Sequence, residues 1–515
     1  MHLLKASVVY RFFDRLLENI YTSAKQSMCL SLLVACYLFF ARLFSASLFG
    51  RTWQRIDSGI RHLPQNSFFV RRFVRLREPP TSPGMFASIC RTMFGGICRV
   101  YRASALLPFL GDRKLLHPVF WCVLTVFATP FLPTMLVLGL VLVCVCTLIL
   151  SKAKAGDRSL AASSVNRPIA FFALLYVLST ITALGRGGSI EITAIILAFT
   201  LFSLVLITAI TTREQLNYLL FFLLAGGLLV SLLGISQYFF GILLVDSTWV
   251  DDEMFDIARR AYATFENPNV FGAYFLLVIP FALAAVFAVK EKMLRIIALA
   301  VLAVMALVLG LTFSRGAYLG IVIAVAVFLV LLDRRMIFLG MFALIAAYFI
   351  LPDAILTRFL SIGNMEDTST AYRVSIWLAT LDMIGDHLIL GIGPGLGTWQ
   401  MTYPLYAFAA AVAHHSHMLF LQILTELGLV GFFLFLVIVY QFYKNGFVAF
   451  LQGTKEARYW SMASIAAMTG FLVMGFTDYP LFNYRLRFLF WVLIAIGVLN
   501  QTLKEEKALP QEVGA

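Results

Sequence analysis

Charge is scarce in this chain. Only 13% of its 515 residues are Asp, Glu, Lys or Arg, and 61% are hydrophobic. A soluble domain carries about 25% charged residues, so a solvated globular enzyme is excluded. Acidic residues are the scarcer sign, 27 against 40 Lys and Arg. No Cys follows residue 146, and the seven that precede it include no CxxC pair. A disulfide framework and a paired-thiolate metal site are thereby excluded. No HExxH stretch is present. The alternating apolar and polar pattern of a membrane β-barrel is missing as well. The basic N-terminus is not followed directly by an apolar stretch with a small-residue cleavage site, so no cleavable signal peptide is read.

What fills the chain is long uncharged apolar runs, such as Ala298–Phe313, Ile321–Leu332 and Phe432–Tyr440. A helix that crosses a bilayer needs about 20 such residues. Twelve candidate spans follow: 118–132, 134–150, 168–184, 189–210, 216–240, 270–289, 296–313, 317–332, 336–351, 418–442, 460–477 and 486–502. The expected fold is an all-α membrane protein of about 12 transmembrane helices. The first two spans are short and are separated by "TPFLP", so a re-entrant pair is an alternative there. Short loops on one side carry 15 Lys and Arg, and the longer loops opposite carry 8. The positive-inside rule then puts both termini in the cytoplasm. Among the inner loops expected on this basis is 443–459.

Two regions stand apart. Residues 1–117 hold 17 Lys and Arg against 5 Asp and Glu, whereas the remainder is balanced at 23 against 22. This basic region reads as cytoplasmic or interfacial, held against anionic lipid. No nucleic-acid motif accompanies it, so nucleic acid is not an expected partner. Residues 118–515 form the membrane domain. Its outer side has a loop at 241–269 with the acidic stretch Asp251–Glu253, and a large loop at 352–417 expected to hold short interfacial helices.

Polar residues converge on that outer side. Arg315 sits in "LGLTFSRGAYLG", a tight turn between apolar runs, with Gly316 expected to leave open space beside the guanidinium. Snorkelling is the bland explanation for this residue; holding a phosphate with its planar fork is the functional one. Arg373 sits in the large loop. His414, His415 and His417 close that loop in "HHSH". They are too close in sequence to share one metal ion readily. A surface cluster without a role and a general base, which suits an imidazole titrating near neutrality, are the other readings. Glu426 lies nine residues beyond His417, about 13 Å along a helix, too far to orient that imidazole directly. "GIGPGLGTW" lacks a phosphate-loop spacing and reads as turns. Trp399, Tyr403 and Tyr406 either anchor helix ends or offer flat faces to sugar rings.

"RVSIWLATLDMIGDHLILGIGPGLGTW" followed by "HHSHMLFLQILTELGLVG" resembles the signature region of the O-antigen ligase and polymerase (Wzy_C) superfamily. "FENPNVFGAY", "TFSRGA" and "LLGISQYFFG" resemble its upstream segments, and residues 241–442 hold the signature. The resemblance implies a C-type glycosyltransferase-like membrane fold. It implies transfer of a glycan from undecaprenyl diphosphate to an acceptor hydroxyl, at the outer face of the bacterial cytoplasmic membrane, with inversion. The acceptor would be a glycan, lipid A-core or a protein, and other envelope-assembly proteins are candidate partners. No cofactor, nucleotide sugar or metal is implied. By the same resemblance Arg315 and Arg373 hold the donor diphosphate, and His417, with His415 second, acts on the acceptor. Asn267, Asn269 and Glu426 are supporting positions. Met418 departs from the pattern, standing where many members have Asn. Two other functions stay open at this stage: a transporter of a small anion, which calls for discontinuous helices and polar residues at the membrane midplane, and a non-catalytic scaffold of a polysaccharide assembly complex.

Overall fold

The computed structural model describes residues 117–503, apart from 158, 184, 243–258, 334, 351, 361–367 and 409–412. The basic region before His117, the acidic stretch Asp251–Glu253 and the C-terminal lysines lie outside the described residues. The described chain is helical throughout. In order come α1 (Pro118–Ala128), α2 (Thr134–Ala155), α3 (Asn166–Thr182), α4 (Arg186–Ala209), α5 (Arg213–Phe240), α6 (Pro268–Ala288), α7 (Lys292–Leu311) and α8 (Arg315–Leu332). Then follow α9 (Met336–Ile350), α10 (Asp353–Leu360), α11 (Thr368–Asp386), α12 (Leu396–Thr402), α13 (Leu419–Gln452), α14 (Lys455–Met474) and α15 (Tyr484–Thr502).

Each of the twelve expected spans falls on a helix, α1 to α9 and α13 to α15. Eight of them, α2, α4 to α8, α13 and α15, are long and apolar enough to cross a bilayer. The protein is therefore an all-α, multi-pass membrane protein. The 11 residues of α1 rise about 16 Å, roughly half the depth of a hydrocarbon core. It packs on α2, where Thr125 Oγ1 lies 3.3 Å from the Sγ of the buried free Cys144.

The core lies along α6 and α15, whose side chains are buried on nearly all sides. α8 crosses α14 through small residues, as membrane helices do when backbones approach closely. A Cβ at Gly320 would stand 2.7 Å from the Gly470 carbonyl oxygen, and one at Gly470 would stand 2.7 Å from that of Gly320. This contact fixes the depth at which α8 begins, and hence where Arg315 sits.

One boundary differs from expectation. The segment 443–459 is not an inner loop: α13 continues to Gln452, and α14 starts at Lys455. Lys444 and Asn445 look like loop residues but are buried, and Asn445 Oδ1 accepts from Ser164 Oγ at 3.1 Å. The helix instead breaks at its other end, at Gly428, with φ 63°. The large loop 352–417 supplies α10, α11 and α12. Ile376, Ala379, Met383, Ile392, Trp399, Tyr403 and Ala413 form a small core of its own.

Gly320→Val is expected to destabilise the purified protein by about 1–3 kcal/mol through overpacking, read as a lower thermal midpoint in detergent. An unchanged midpoint contradicts the close crossing of α8 and α14.

Candidate functional site

Arg315, Arg373, His415, His417, Asn267, Asn269 and Glu426 all line one cavity of about 880 Å³. Arg260, Tyr372, Gln422, Asp478 and Arg487 line it too. The N-terminal ends of α4, α6, α8, α13 and α15 reach it, as do the C-terminal end of α14 and the turn after α7. Helix N-termini carry partial positive charge and favour anions. α6 and α15 are capped by the side chains of Asn267 and Asn483, whereas the N-caps of α8 and α13, Ser314 and Met418, make no side-chain cap bond.

The arginine turn is braced from behind. Asn267 Oδ1 accepts the N–H groups of Asn269 at 2.8 Å and Val270 at 3.3 Å, which starts α6. Asn269 Oδ1 accepts from Arg260 Nη2 at 3.0 Å, and Arg260 Nε donates to the Thr312 carbonyl at 2.9 Å. Asn269 therefore acts on the turn that carries Arg315 through Arg260, and Asn267 starts the helix that presents Asn269. Sequence reading placed Arg260 on this side without finding its task. Gly316 does not open space beside the guanidinium: a Cβ there would meet Thr477 Oγ1 at 2.8 Å and Met474 Cγ at 3.3 Å. Glycine is needed because α8 starts hard against the turn after α14.

Arg373 comes from the outer loop. It lies three residues before Ile376 and seven before Thr380, both fully buried. That spacing turns one helix face inward, so the small core of the loop sets where Arg373 points.

The histidines sit between the arginine turn and α15. His417 has φ 50°, in the left-handed region that few non-glycine residues adopt. Ala263, Glu266 and Phe313 are the other non-glycine residues with positive φ among those described, and Glu266 and Phe313 also line the cavity. Three of these four positive-φ residues, His417 included, thus border the cavity. His417 Nδ1 lies 3.6 Å from Asp478 Oδ1. Asp478 is buried, and its Oδ1 accepts the Tyr479 N–H at 2.8 Å. Burial pushes the Asp478 carboxyl up, but the neighbouring His417 imidazole and the charge of Arg373 outweigh it and hold the group down at about 2. Asp478 was missed from sequence. Its signal was a lone carboxylate in "TDYPLFNYRLRF", on the same face as the histidines.

His415 is packed rather than poised. Its ring lies 4.2 Å from that of His417 and stacks on Phe482 at 4.8 Å, centroid to centroid. Its Nδ1 accepts the His417 N–H at 3.2 Å. Burial, then the charge of His417, push its pKa down to about 3, so it is neutral at ordinary pH. Met418 takes the place of a capping residue. Backbone carbonyls compensate: Leu419 N–H donates to those of Gly475 at 2.8 Å and Asp478 at 3.1 Å, while Ser416 Oγ donates to the Met418 carbonyl at 2.9 Å.

Trp399 and Tyr403 offer no open faces to sugar rings. They stack on each other at 5.0 Å, both are buried, and Trp399 Nε1 donates to the Ala413 carbonyl at 2.8 Å. Tyr372 is exposed, and its ring stands 6.3 Å from that of His417. Among the described residues no group of three or more His, Cys, Asp or Glu side chains is arranged to hold a metal ion.

Residues 298–436 match the family model Wzy_C, O-antigen ligase, and this stretch is a domain of that kind. It includes Arg315, Arg373, both histidines and Glu426, but neither Asp478 nor the Asn267–Asn269 brace. No curated protein matches the chain.

The buried histidine gives a pH test. Unfolded, His415 titrates near its ordinary value of about 6.5; folded, it titrates at about 3. Between those values the unfolded chain binds the extra proton, so stability falls as pH drops through that window. Thermal melts from pH 7 to pH 4 are expected to show a falling midpoint, and His415→Gln is expected to flatten it. An equal slope in both proteins contradicts the buried neutral imidazole.

Proposed function

We propose that the protein transfers a glycan from a lipid diphosphate to an acceptor hydroxyl at the outer face of the bacterial cytoplasmic membrane. The Wzy_C domain supports an O-antigen ligase or polymerase type of role. One observation carries the finer reading: Arg315, Arg373 and the His417–Asp478 pair open on the same cavity, at converging helix N-termini.

In this scheme the donor's polyprenyl tail stays among the helices and its diphosphate lies in the cavity. Arg315 and Arg373 grip it from two elements, the bundle and the outer loop. Their guanidinium forks, with the N-terminus of α8, stabilise the charge that grows on the leaving diphosphate. Asp478 keeps the Nδ1 proton of His417 turned towards itself, so Nε2 presents its lone pair. The acceptor hydroxyl attacks the anomeric carbon and gives its proton to Nε2. The bond from that carbon to the diphosphate oxygen breaks, and the lipid diphosphate leaves with the electron pair. Attack opposite the leaving group inverts the anomeric centre. The 3.6 Å separation of His417 and Asp478 is loose, as catalytic hydrogen bonds are before substrate tightens them.

A transporter reading has one feature on its side, the broken α13. The carbonyls released there, Thr425 and Glu426, are taken by the N–H groups of Ile392 at 2.8 Å and Gly393 at 3.1 Å. Protein groups thus fill the positions that a transported ion would need.

Reconstituted protein, supplied with a lipid-diphosphate oligosaccharide and candidate acceptors, is expected to yield glycan products in the presence of EDTA. A ladder means polymerase and a single shifted acceptor means ligase. His417→Ala is expected to lower kcat by about 10²–10⁴-fold, and Arg315→Ala and Arg373→Ala to abolish transfer in protein that still inserts. Full activity of His417→Ala overturns its role as base, and loss on chelation restored by zinc or magnesium overturns the metal-free scheme.

A further inference from the structure

The left-handed backbone of His417 needs a holder. Ser416, one residue earlier, is fully buried, and its N–H donates to Gln422 Oε1 at 2.8 Å. Gln422 is buried one turn into α13, and its Nε2 donates to Glu426 Oε1 at 3.0 Å. The two side chains are four residues apart, which places them on one helix face. Glu426 sits where α13 breaks, and its backbone carbonyl accepts Gly393 N–H at 3.1 Å and Ser179 Oγ at 3.2 Å. The direction of each bond follows from the partners. The Ser416 N–H is only a donor, so it fixes the oxygen of the Gln422 amide towards itself. The amide nitrogen then points at Glu426, which supplies an acceptor.

This chain answers the distance problem that the sequence poses. Glu426 is too far along α13 to reach the imidazole of His417. It reaches the histidine loop through one amide, and that loop is the backbone from which His417 projects. A buried amide with one end unsatisfied carries a desolvation penalty, so a Gln422 paired at both ends holds Ser416 firmly. On the other flank, His415 Nδ1 accepts the N–H of His417 itself at 3.2 Å.

We propose that Gln422, oriented by Glu426, is a positioning residue for His417: the carboxyl at the helix break sets the amide, and the amide sets the histidine loop. The proposal rests on the reading of His417 as the base. Neither residue is assigned contact with the reacting atoms.

Reversing the polarity of the pair tests it. In full-length protein in nanodiscs, with a lipid-diphosphate oligosaccharide as donor and at pH 9 so that no shared proton bridges the pair, Gln422→Glu sets two ionised carboxylates against each other without a donor between them. Its kcat is expected to fall about tenfold or more, with KM for the donor little changed. Combining it with Glu426→Gln restores the donor in reverse: the new amide donates to the new carboxylate, which accepts the Ser416 N–H. The double variant is expected to recover to within about threefold of wild type. A single variant at the wild-type rate, or a double variant no faster than the single, overturns the proposal. Hydrogen–deuterium exchange over 413–418 gives an answer that needs no glycan transfer. The Ser416 amide is expected to be protected in wild type and in the double variant, and to exchange fast in Gln422→Glu. Equal protection in all three overturns the relay. If wild-type protein transfers no glycan, the proposed function fails, and exchange at Ser416 alone decides the relay.

Discussion

The carbonyls released at the Gly428 break have to find donors inside the protein, because a bilayer offers none. This requirement organises the half of the molecule that holds the cavity. The segment before α12 runs back against α13 and supplies the N–H groups of Ile392 and Gly393, while Leu429 N–H donates to the Leu388 carbonyl at 2.8 Å. Such close backbone contact leaves no room for side chains. A Cβ at Gly391 would stand 2.5 Å from the Glu426 carbonyl carbon, and one at Gly428 would stand 2.1 Å from the Ile389 carbonyl oxygen. The glycine-rich segment is thus a plug for a broken helix. Because the same segment leads into α12 and the small core, plugging the break also fixes the 352–417 loop against the bundle.

Polarity collects at this end of the molecule for a related reason. A helix that terminates near the membrane boundary leaves unpaired N–H groups, and several such ends meet around the cavity. Some are satisfied locally, by Asn267 and Asn483. The ends at Ser314 and Met418 lack a side-chain cap, and these are the ends beside Arg315 and His417. The positive φ of Phe313, Glu266 and His417 belongs to the same picture. Chain segments make abrupt turns there to bring side chains from distant helices into one volume, and packing beneath them holds the strain.

The sequence shows the helices plainly, because apolar length is a local property. It shows Arg315, Arg373 and His417 through the company they keep in short motifs. The rest of the site is written in contacts that no local pattern carries. Asp478 is separated from His417 by the whole of α13 and α14, yet lies 3.6 Å away in space. Arg260 looks like one more basic residue in an outer loop, and only its bonds to Thr312 and Asn269 reveal a brace. Gly316 misleads, since a missing side chain reads as open space until the neighbouring helix is seen to occupy it. Lys444 misleads in another way, since it reads as a loop lysine but is buried within α13.

The four arginines of the cavity illustrate why composition alone cannot name a binding site. Arg260 is engaged by backbone carbonyls and an asparagine. Arg487 is buried on α15, with its charge facing Glu426 and Tyr479. Arg315 and Arg373 differ from these in where they are mounted. Arg315 rises from the bundle at the start of α8, whose depth is fixed by the Gly320–Gly470 crossing. Arg373 descends from α11, which belongs to a separate small core. An anion gripped by both therefore bridges two packing units. The histidine segment, which leaves that small core at Ala413 and enters α13 at Leu419, lies between them. Under the proposed scheme a diphosphate held by both arginines would therefore be positioned by the bundle and by the loop together, and His417 lies between those two supports.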